Sequence, residues 1–515
     1  MDPFSGLLLG FEQVLEPTNL LFALLGCVLG MLVGILPGFG PPAATALLLP
    51  VTFVIGPIPG IIMMAAIFYG SAYGGTITAV LLNIPGEPSS VATMLDGHPM
   101  AKQGRGGQAL VIAAVGSFIG GLIATIGMVF AAPIATAALA FGPREYFGLT
   151  IFALSLVVGL SGKSVVKGLL SAVIGLSIGI IGLDPVLGTP RFTGGMPILF
   201  DGISLAALVM GLFGLSEMLI GLEERLSKGK VTTIGRIAPT RQDWQRSIGP
   251  IGRGSIIGFF TGLLPGNPGT ASAFGSYALE KRLSKHKNEF GKGAVEGVAG
   301  PETANNSLNV ATMIPMFVLG VPSSVTMAIL MGAFIMHGLT PGPLLFRDNP
   351  DVAWAIIASL FVGNVILLIM NVPLIRVWLF VLRVPYPILF AVVVGLMAVG
   401  AYIVDNAPIN ILVLVIAGVL GYIMRKLDMP LAPIALTMVL GSMIETNLVR
   451  SLLLADGDVA TFAHSPLALA FLIAAALVLV APPLLKIVRK STTPHDRPDT
   501  HEGSTVKEAR MENHS

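Results

Sequence analysis

The chain has 515 residues, 54% of them hydrophobic and only 11% charged, with a net charge of +2. Soluble proteins carry about 25% charged residues, so this chain cannot cover a water-facing surface, and its charge is too small to argue for a nucleic-acid partner. A single cysteine, Cys27, excludes an internal disulfide framework and a cysteine metal cluster. Apolar runs of about 20 residues match the thickness of a bilayer, which predicts an all-α polytopic membrane protein.

In chain order, Met1-Asp2-Pro3 has no basic flank, so no cleaved signal peptide is expected. Two apolar arms, 17–36 and 41–56, flank Pro37-Gly38 and form a hairpin over 17–56. A helix over 58–100 is interrupted near Asn83 to Ser90, and apolar runs over 108–222 complete the first half, residues 1–222. A polar linker, 223–249, follows. The second half, 250–450, repeats this plan: a hairpin over 250–283, a helix over 297–338 broken at 320–324, and runs over 352–448. A last helix, 466–488, has no counterpart, and 491–515 reads as a disordered tail.

The repetition is visible residue by residue. Gly34-Ile35-Leu36-Pro37-Gly38 returns 228 positions later as Gly262-Leu263-Leu264-Pro265-Gly266. Gly86-Glu87-Pro88-Ser89-Ser90 returns 234 positions later as Gly320-Val321-Pro322-Ser323-Ser324. Two elements in the same order, half a chain apart, indicate an internal duplication.

Charge placement orients the halves, because cytoplasmic loops gather Lys and Arg. Seven basic residues between Arg225 and Arg253 place that stretch inside. The loop holding Lys281, Arg282, Lys285, Lys287 and Lys292 corresponds to a first-half loop near 52–60 with none. Lys163 and Lys167 correspond to Asp405-Asn406, again without a basic residue. Basic loops matching neutral ones predict two inverted repeats. Each then has a re-entrant hairpin, a broken helix and about four spanning helices, giving about 11 crossings, with the N-terminus outside and the C-terminus inside. Residues 17–36 are also long enough to be an ordinary span.

Interrupted helices at matching positions point to a transporter's binding site, since non-helical backbone at membrane depth survives only beside protein or a water-filled cavity. Free N–H groups where each helix resumes suit a carboxylate. The candidate substrate-binding residues are Pro37 and Gly38 at the first tip and Gly86, Pro88, Ser89 and Ser90 at the first break. Their second-half counterparts are Pro265, Gly266, Asn267 and Thr270 at the tip, with Pro322, Ser323 and Ser324 at the break. Asn83, Thr303, Asn305, Asn306 and Asn309 are candidate ligands of a coupling ion. The competing reading is that the serines bond their own backbone at simple bends and that the amides join neighbouring helices. Glu302, an acid in an apolar run, is a functional candidate, whereas Glu217 and Glu445 read equally well as interfacial.

No Walker A sequence, Gly-x-Ser-x-Gly elbow or His-Glu-x-x-His occurs, so the chain is not expected to be an enzyme, needs no cofactor, and would draw energy from a sodium or proton gradient.

Six runs together resemble the large membrane subunit of the tripartite tricarboxylate transporters, the TctA family. They are Gly34 to Gly38, Tyr69 to Gly75, Asn83 to Val91, Asp96 to Met100, Gly262 to Gly266 and Gly300 to Asn306, and the similarity extends over about 15–450. The resemblance implies a bacterial inner-membrane symporter for carboxylates such as citrate. It also implies a small membrane subunit and a periplasmic substrate-binding protein as partners, and a substrate-carrying domain that moves against a scaffold. A passive anion channel and a non-transporting membrane scaffold are the alternatives.

Overall fold

The computed structural model describes residues 2–36, 40–160, 164–223, 234–266, 269–381 and 386–492. The tip residues Pro37, Gly38 and Asn267 and most of the tail read over 491–515 lie outside the described residues.

The described chain is 78% helical, with almost no strand. The first half runs α1 (Pro3–Val14), α2 (Pro17–Gly34), α3 (Pro41–Ile55), α4 (Pro57–Leu82), α5 (Ser90–Lys102), α6 (Gly106–Val129), α7 (Ala131–Ala138), α8 (Pro143–Leu160) and α9 (Val165–Gly179). A two-stranded hairpin, β1 (Gly182–Leu183) with β2 (Pro190–Arg191), precedes α10 (Leu205–Val209), which a π turn at Met210–Leu215 joins to α11 (Ser216–Glu223).

The second half comprises α12 (Arg241–Gly262), α13 (Gly269–Leu283), α14 (Glu296–Ala311), α15 (Met313–Leu319), α16 (Val325–Met336), α17 (Pro343–Asp348) and α18 (Pro350–Asn371). It continues with α19 (Ile375–Val381), α20 (Tyr386–Asp405), α21 (Ile409–Lys426) and α22 (Ala432–Leu453), and the chain closes with α23 (Thr461–His464) and α24 (Pro466–Thr492). Seven described helical segments are long and apolar enough to cross a membrane, Pro17–Gly34 among them. The chain is a polytopic α-helical membrane protein.

Local chemistry explains the boundaries. α12 starts at Arg241, inside the stretch read as linker, because Thr240 and Asp243 close a capping box there. The unforeseen α1 is held by contact: a Cβ on Gly6 would lie 2.1 Å from the Trp354 ring, and one on Gly10 would lie 2.2 Å from the Trp354 carbonyl.

Glycine ladders set the closest helix pairs. Gly26, Gly30 and Gly34 press α2 onto α4, where an added Cβ would come within 2.6, 2.5 and 2.1 Å of its atoms. Gly254, Gly258 and Gly262 press α12 onto α14 in the same way, at 2.5, 2.2 and 2.6 Å. Small residues at every fourth position are the usual means of bringing membrane helices into backbone contact. Helices α2, α4, α5, α6, α12, α13, α14 and α18 pack as one group, and α8 with α22 and α24, and α9 with α22, as another, while α16 touches members of both.

Candidate functional site

Both interrupted helices stop on a left-handed residue. α4 ends where Asn83 takes φ 59°, a conformation that asparagine tolerates better than most residues. Pro85 and Pro88 then keep the helix from continuing until Ser90. α15 ends where Gly320 takes φ 68°, and Pro322 follows. Ser324 restarts the chain as α16, its hydroxyl accepting the Met327 N–H at 3.2 Å.

In each half the described chain of the hairpin touches the break of that half. In the second, Gly266 N–H donates to the Ser323 carbonyl at 2.8 Å. In the first, Gly86 lies against Gly75 and Gly34: a Cβ there would be 2.3 Å from Gly75 Cα and 3.1 Å from the Gly34 oxygen. Only glycine permits this approach.

Between the breaks lies a polar face of α14. Glu302 is 1% exposed. Its carboxylate accepts Thr76 Oγ1 at 2.5 Å, Thr93 Oγ1 at 2.8 Å and Asn306 Nδ2 at 3.1 Å. Asn306 Nδ2 also reaches Ser117 Oγ at 2.7 Å. Nearby, Tyr73 donates to Asn364 Oδ1 at 2.9 Å. On the same face, Asn305 Nδ2 donates to Glu87 Oε1 at 2.5 Å, linking the first-half break to the second-half helix. Asn309 follows along the face, and its buried Nδ2 has no hydrogen-bond partner among the described residues. A small cavity lined by Tyr73, Thr76, Ser117, Glu302 and Asn371 opens beside Glu302.

Neither Glu87 nor Glu302 has a Lys or Arg partner among the described residues. A buried charge must be paired, bind a cation or take up a proton. Glu302 is buried and Glu87 half-buried, both among neutral hydroxyls and amides, and together they are the candidate seat for a small cation or for protons.

The remaining candidates divide. Ser89, Ser90, Pro322, Ser323 and Ser324 are buried at the breaks; Ser90 Oγ donates to the Glu87 carbonyl at 2.7 Å and Ser323 Oγ to the Thr312 carbonyl at 2.7 Å. Asn83, Pro88 and Thr270 are exposed, and Pro265 and Gly266 half-buried. Thr303 lies apart from the carboxylates: its hydroxyl bonds back to the Ala299 carbonyl at 2.7 Å, and the residue packs against Gly116 and Gly120 of α6. Glu87 and Thr93 went unrecognised from sequence as site residues. Glu87 carried a readable signal, an acid inside a helix break; Thr93 did not.

The model of the tripartite tricarboxylate transporter TctA family matches residues 20–436, a stretch that contains both breaks and the whole polar face. The chain belongs to the TctA family. Members of this family are transporter components rather than enzymes, so the chain is a membrane transport subunit of the tricarboxylate-transporter type. Two relatives come from Agrobacterium vitis. An uncharacterized 52.8 kDa protein in the TAR-I ttuC' 3' region is 42% identical over 491 residues, which is 95% of this chain and 98% of the relative. An uncharacterized protein in the TAR-II ttuC' 3' region is 41% identical over 232 residues, 45% of this chain and 96% of the relative. No solved structure matches.

Proposed function

We propose that this TctA-family chain is the large transport subunit of a tripartite secondary transporter that imports tricarboxylates or related carboxylates by sodium or proton symport. The observation that carries the reading is Glu302: a buried carboxylate bonded, among the described residues, by Thr76, Thr93 and Asn306, beside a second carboxylate on Glu87. Occupancy by the coupling ion neutralises this seat, and the substrate carboxylates then lie against the resumed helix ends at Ser89-Ser90 and Ser323-Ser324. The Asn309 amide, without a partner among the described residues, is available to the same anion. A periplasmic binding protein delivers the substrate and a small membrane subunit completes the complex in the bacterial inner membrane. The two halves act as inverted repeats, with the N-terminus outside and the C-terminus inside, and the group around α4 and α14 moves against the group around α8 and α22.

Uptake of labelled citrate by cells expressing the complete three-component system tests this reading. Glu302→Gln keeps the hydrogen-bonding shape but not the ionisable group, and is expected to lower concentrative uptake at least tenfold, roughly the scale of one lost charged interaction, at an unchanged membrane level. Uptake that keeps wild-type rate and ion dependence would overturn it. Downhill flux alone in the wild type would favour a channel.

A further inference from the structure

A second polar site lies outside the carboxylate cluster. A cleft of about 660 Å³ forms where the α5–α6 link, residues 234–246 and the loop before α14 meet, a volume typical of small-molecule sites. We propose that this cleft binds a soluble multivalent carboxylate through Arg236 and Lys292.

The charge count carries the argument. Among the described residues four cations line the cleft, and two of them are already matched: Arg105 pairs with Asp243 at 2.7 Å, and Arg246 with Glu289 at 2.6 Å and Glu296 at 2.7 Å. Burial raises the Asp243 carboxyl, but hydrogen bonds from Thr240 and the nearby Arg105 outweigh it and hold the group below its ordinary value, so it stays ionised. These pairs use both acids of the lining. Arg236 and Lys292 make no ion pair among the described residues, and the amides of Gln242 and Asn288 stand beside them. Guanidinium, ammonium and amide donors around an unmatched double positive charge suit a compact polyanion.

The walls are fixed in advance. Gly107 N–H donates to the Ile234 carbonyl at 2.6 Å and Gln108 Nε2 to the Ala238 carbonyl at 3.1 Å. On the other side Asp96 accepts the N–H groups of Gly291, Gly293 and Ala294, and Gln103 Nε2 reaches the Lys292 carbonyl at 2.7 Å. The 13 residues of α5 separate the cleft from the first break, about 20 Å at the α-helical rise. Thr93, which bonds Glu302 from within α5, lies ten residues before Gln103 of the cleft, about 15 Å at that rise, and no lining residue bonds Glu302, so the site is distinct from the Glu302 seat; it faces the side on which imported carboxylate emerges. Only that sidedness rests on the proposed function.

Calorimetric titration of the purified full-length protein with citrate, in detergent free of anionic lipid and at fixed ionic strength, tests the site. In Glu302→Gln, where the central seat is impaired, citrate is expected still to bind, and that remaining binding reports the cleft. Introduced into that background, Arg236→Gln with Lys292→Gln should weaken the remaining binding at least tenfold, the loss expected when two charged donors to one anion are removed. Lys281→Gln with Lys285→Gln, on the same face but outside the cleft, should leave it unchanged. Arg236→Lys with Lys292→Arg, restoring affinity in a monodisperse protein, guards against misfolding. Absence of citrate binding by the wild type, or loss in Glu302→Gln with retention in Arg236→Gln/Lys292→Gln, overturns the proposal. Displacement of citrate by phosphatidylglycerol would assign the cleft to a lipid headgroup and also overturn it. Because the Glu302→Gln uptake result is independent, failure here and failure of the transport reading are distinguishable.

Discussion

Asp96 joins parts of the chain nearly two hundred positions apart. One carboxylate oxygen accepts three backbone N–H groups, from Gly291, Gly293 and Ala294, each at 2.8 Å, while Tyr277 donates to the other at 2.8 Å. Left-handed backbone at Gly291 (φ 81°) and Gly293 (φ 111°) lets the loop wrap one anion in this way. Removing a fully buried acceptor leaves several donors without partners, about 1–3 kcal/mol for each. Asp96→Ala is therefore expected to lower the thermal unfolding midpoint of the purified protein most, Asp96→Asn less, and Tyr277→Phe least. An Asp96→Ala midpoint equal to wild type would rule the clamp out. Sequence could mark Asp96 only as part of a family-like run, because its backbone donors lie 195 to 198 positions away in a loop with no pattern of its own. Glu302 was legible for the opposite reason: an acid within an apolar helix is conspicuous without knowledge of its neighbours.

At the scale of elements, the breaks were legible because proline and glycine interrupt apolar periodicity, and the helices do stop at Leu82 and Leu319. The glycine ladders were equally present in the sequence: Gly26, Gly30 and Gly34 recur at Gly254, Gly258 and Gly262, the same 228-residue offset as the tips. They are hard to single out because a packing face carries no chemistry. The β-hairpin was invisible, since each strand has only two residues. The ladders make a sharp prediction. A Cβ at Gly258 would lie 2.2 Å from the Ala304 carbonyl and one at Gly30 2.5 Å from the Ile67 carbonyl, both immovable backbone, while Gly252 and Gly275 face nothing within 4 Å. Gly258→Ala and Gly30→Ala are expected to destabilise the protein by about 1–3 kcal/mol through overpacking. Gly252→Ala and Gly275→Ala should be neutral or stabilising by up to about 1 kcal/mol, the helix-propensity gain. Denaturation of the four purified variants decides it; equal loss in both pairs would mean that close backbone contact does not hold these helices.

For the whole molecule, ion pairs and charged hydrogen bonds gather helix ends and loops into two sets. Arg425 bonds Glu217, Lys426 bonds Glu223 at 2.7 Å, and Lys167 donates to the Leu427 carbonyl at 2.6 Å, so the ends of α9, α11 and α21 with their basic residues lie together. The other ends are joined separately: Arg191 grips Glu445 at 2.5 and 3.0 Å, and Ser465 donates to Glu145 at 2.6 Å. The helical segment Leu205–Glu223 is long enough to span a bilayer between the two sets. Since basic residues are retained on the cytoplasmic side, the β-hairpin should face outward and the loop after α13 inward. Leu187, 73% exposed, and the exposed Lys285 report these faces, and the single native thiol, Cys27, is fully buried and contributes no background. Leu187→Cys is expected to react with a membrane-impermeant maleimide in spheroplasts, and Lys285→Cys only after permeabilisation. Reaction of both from the same side would place the two loops on one face and remove the basis for an inverted arrangement of the halves.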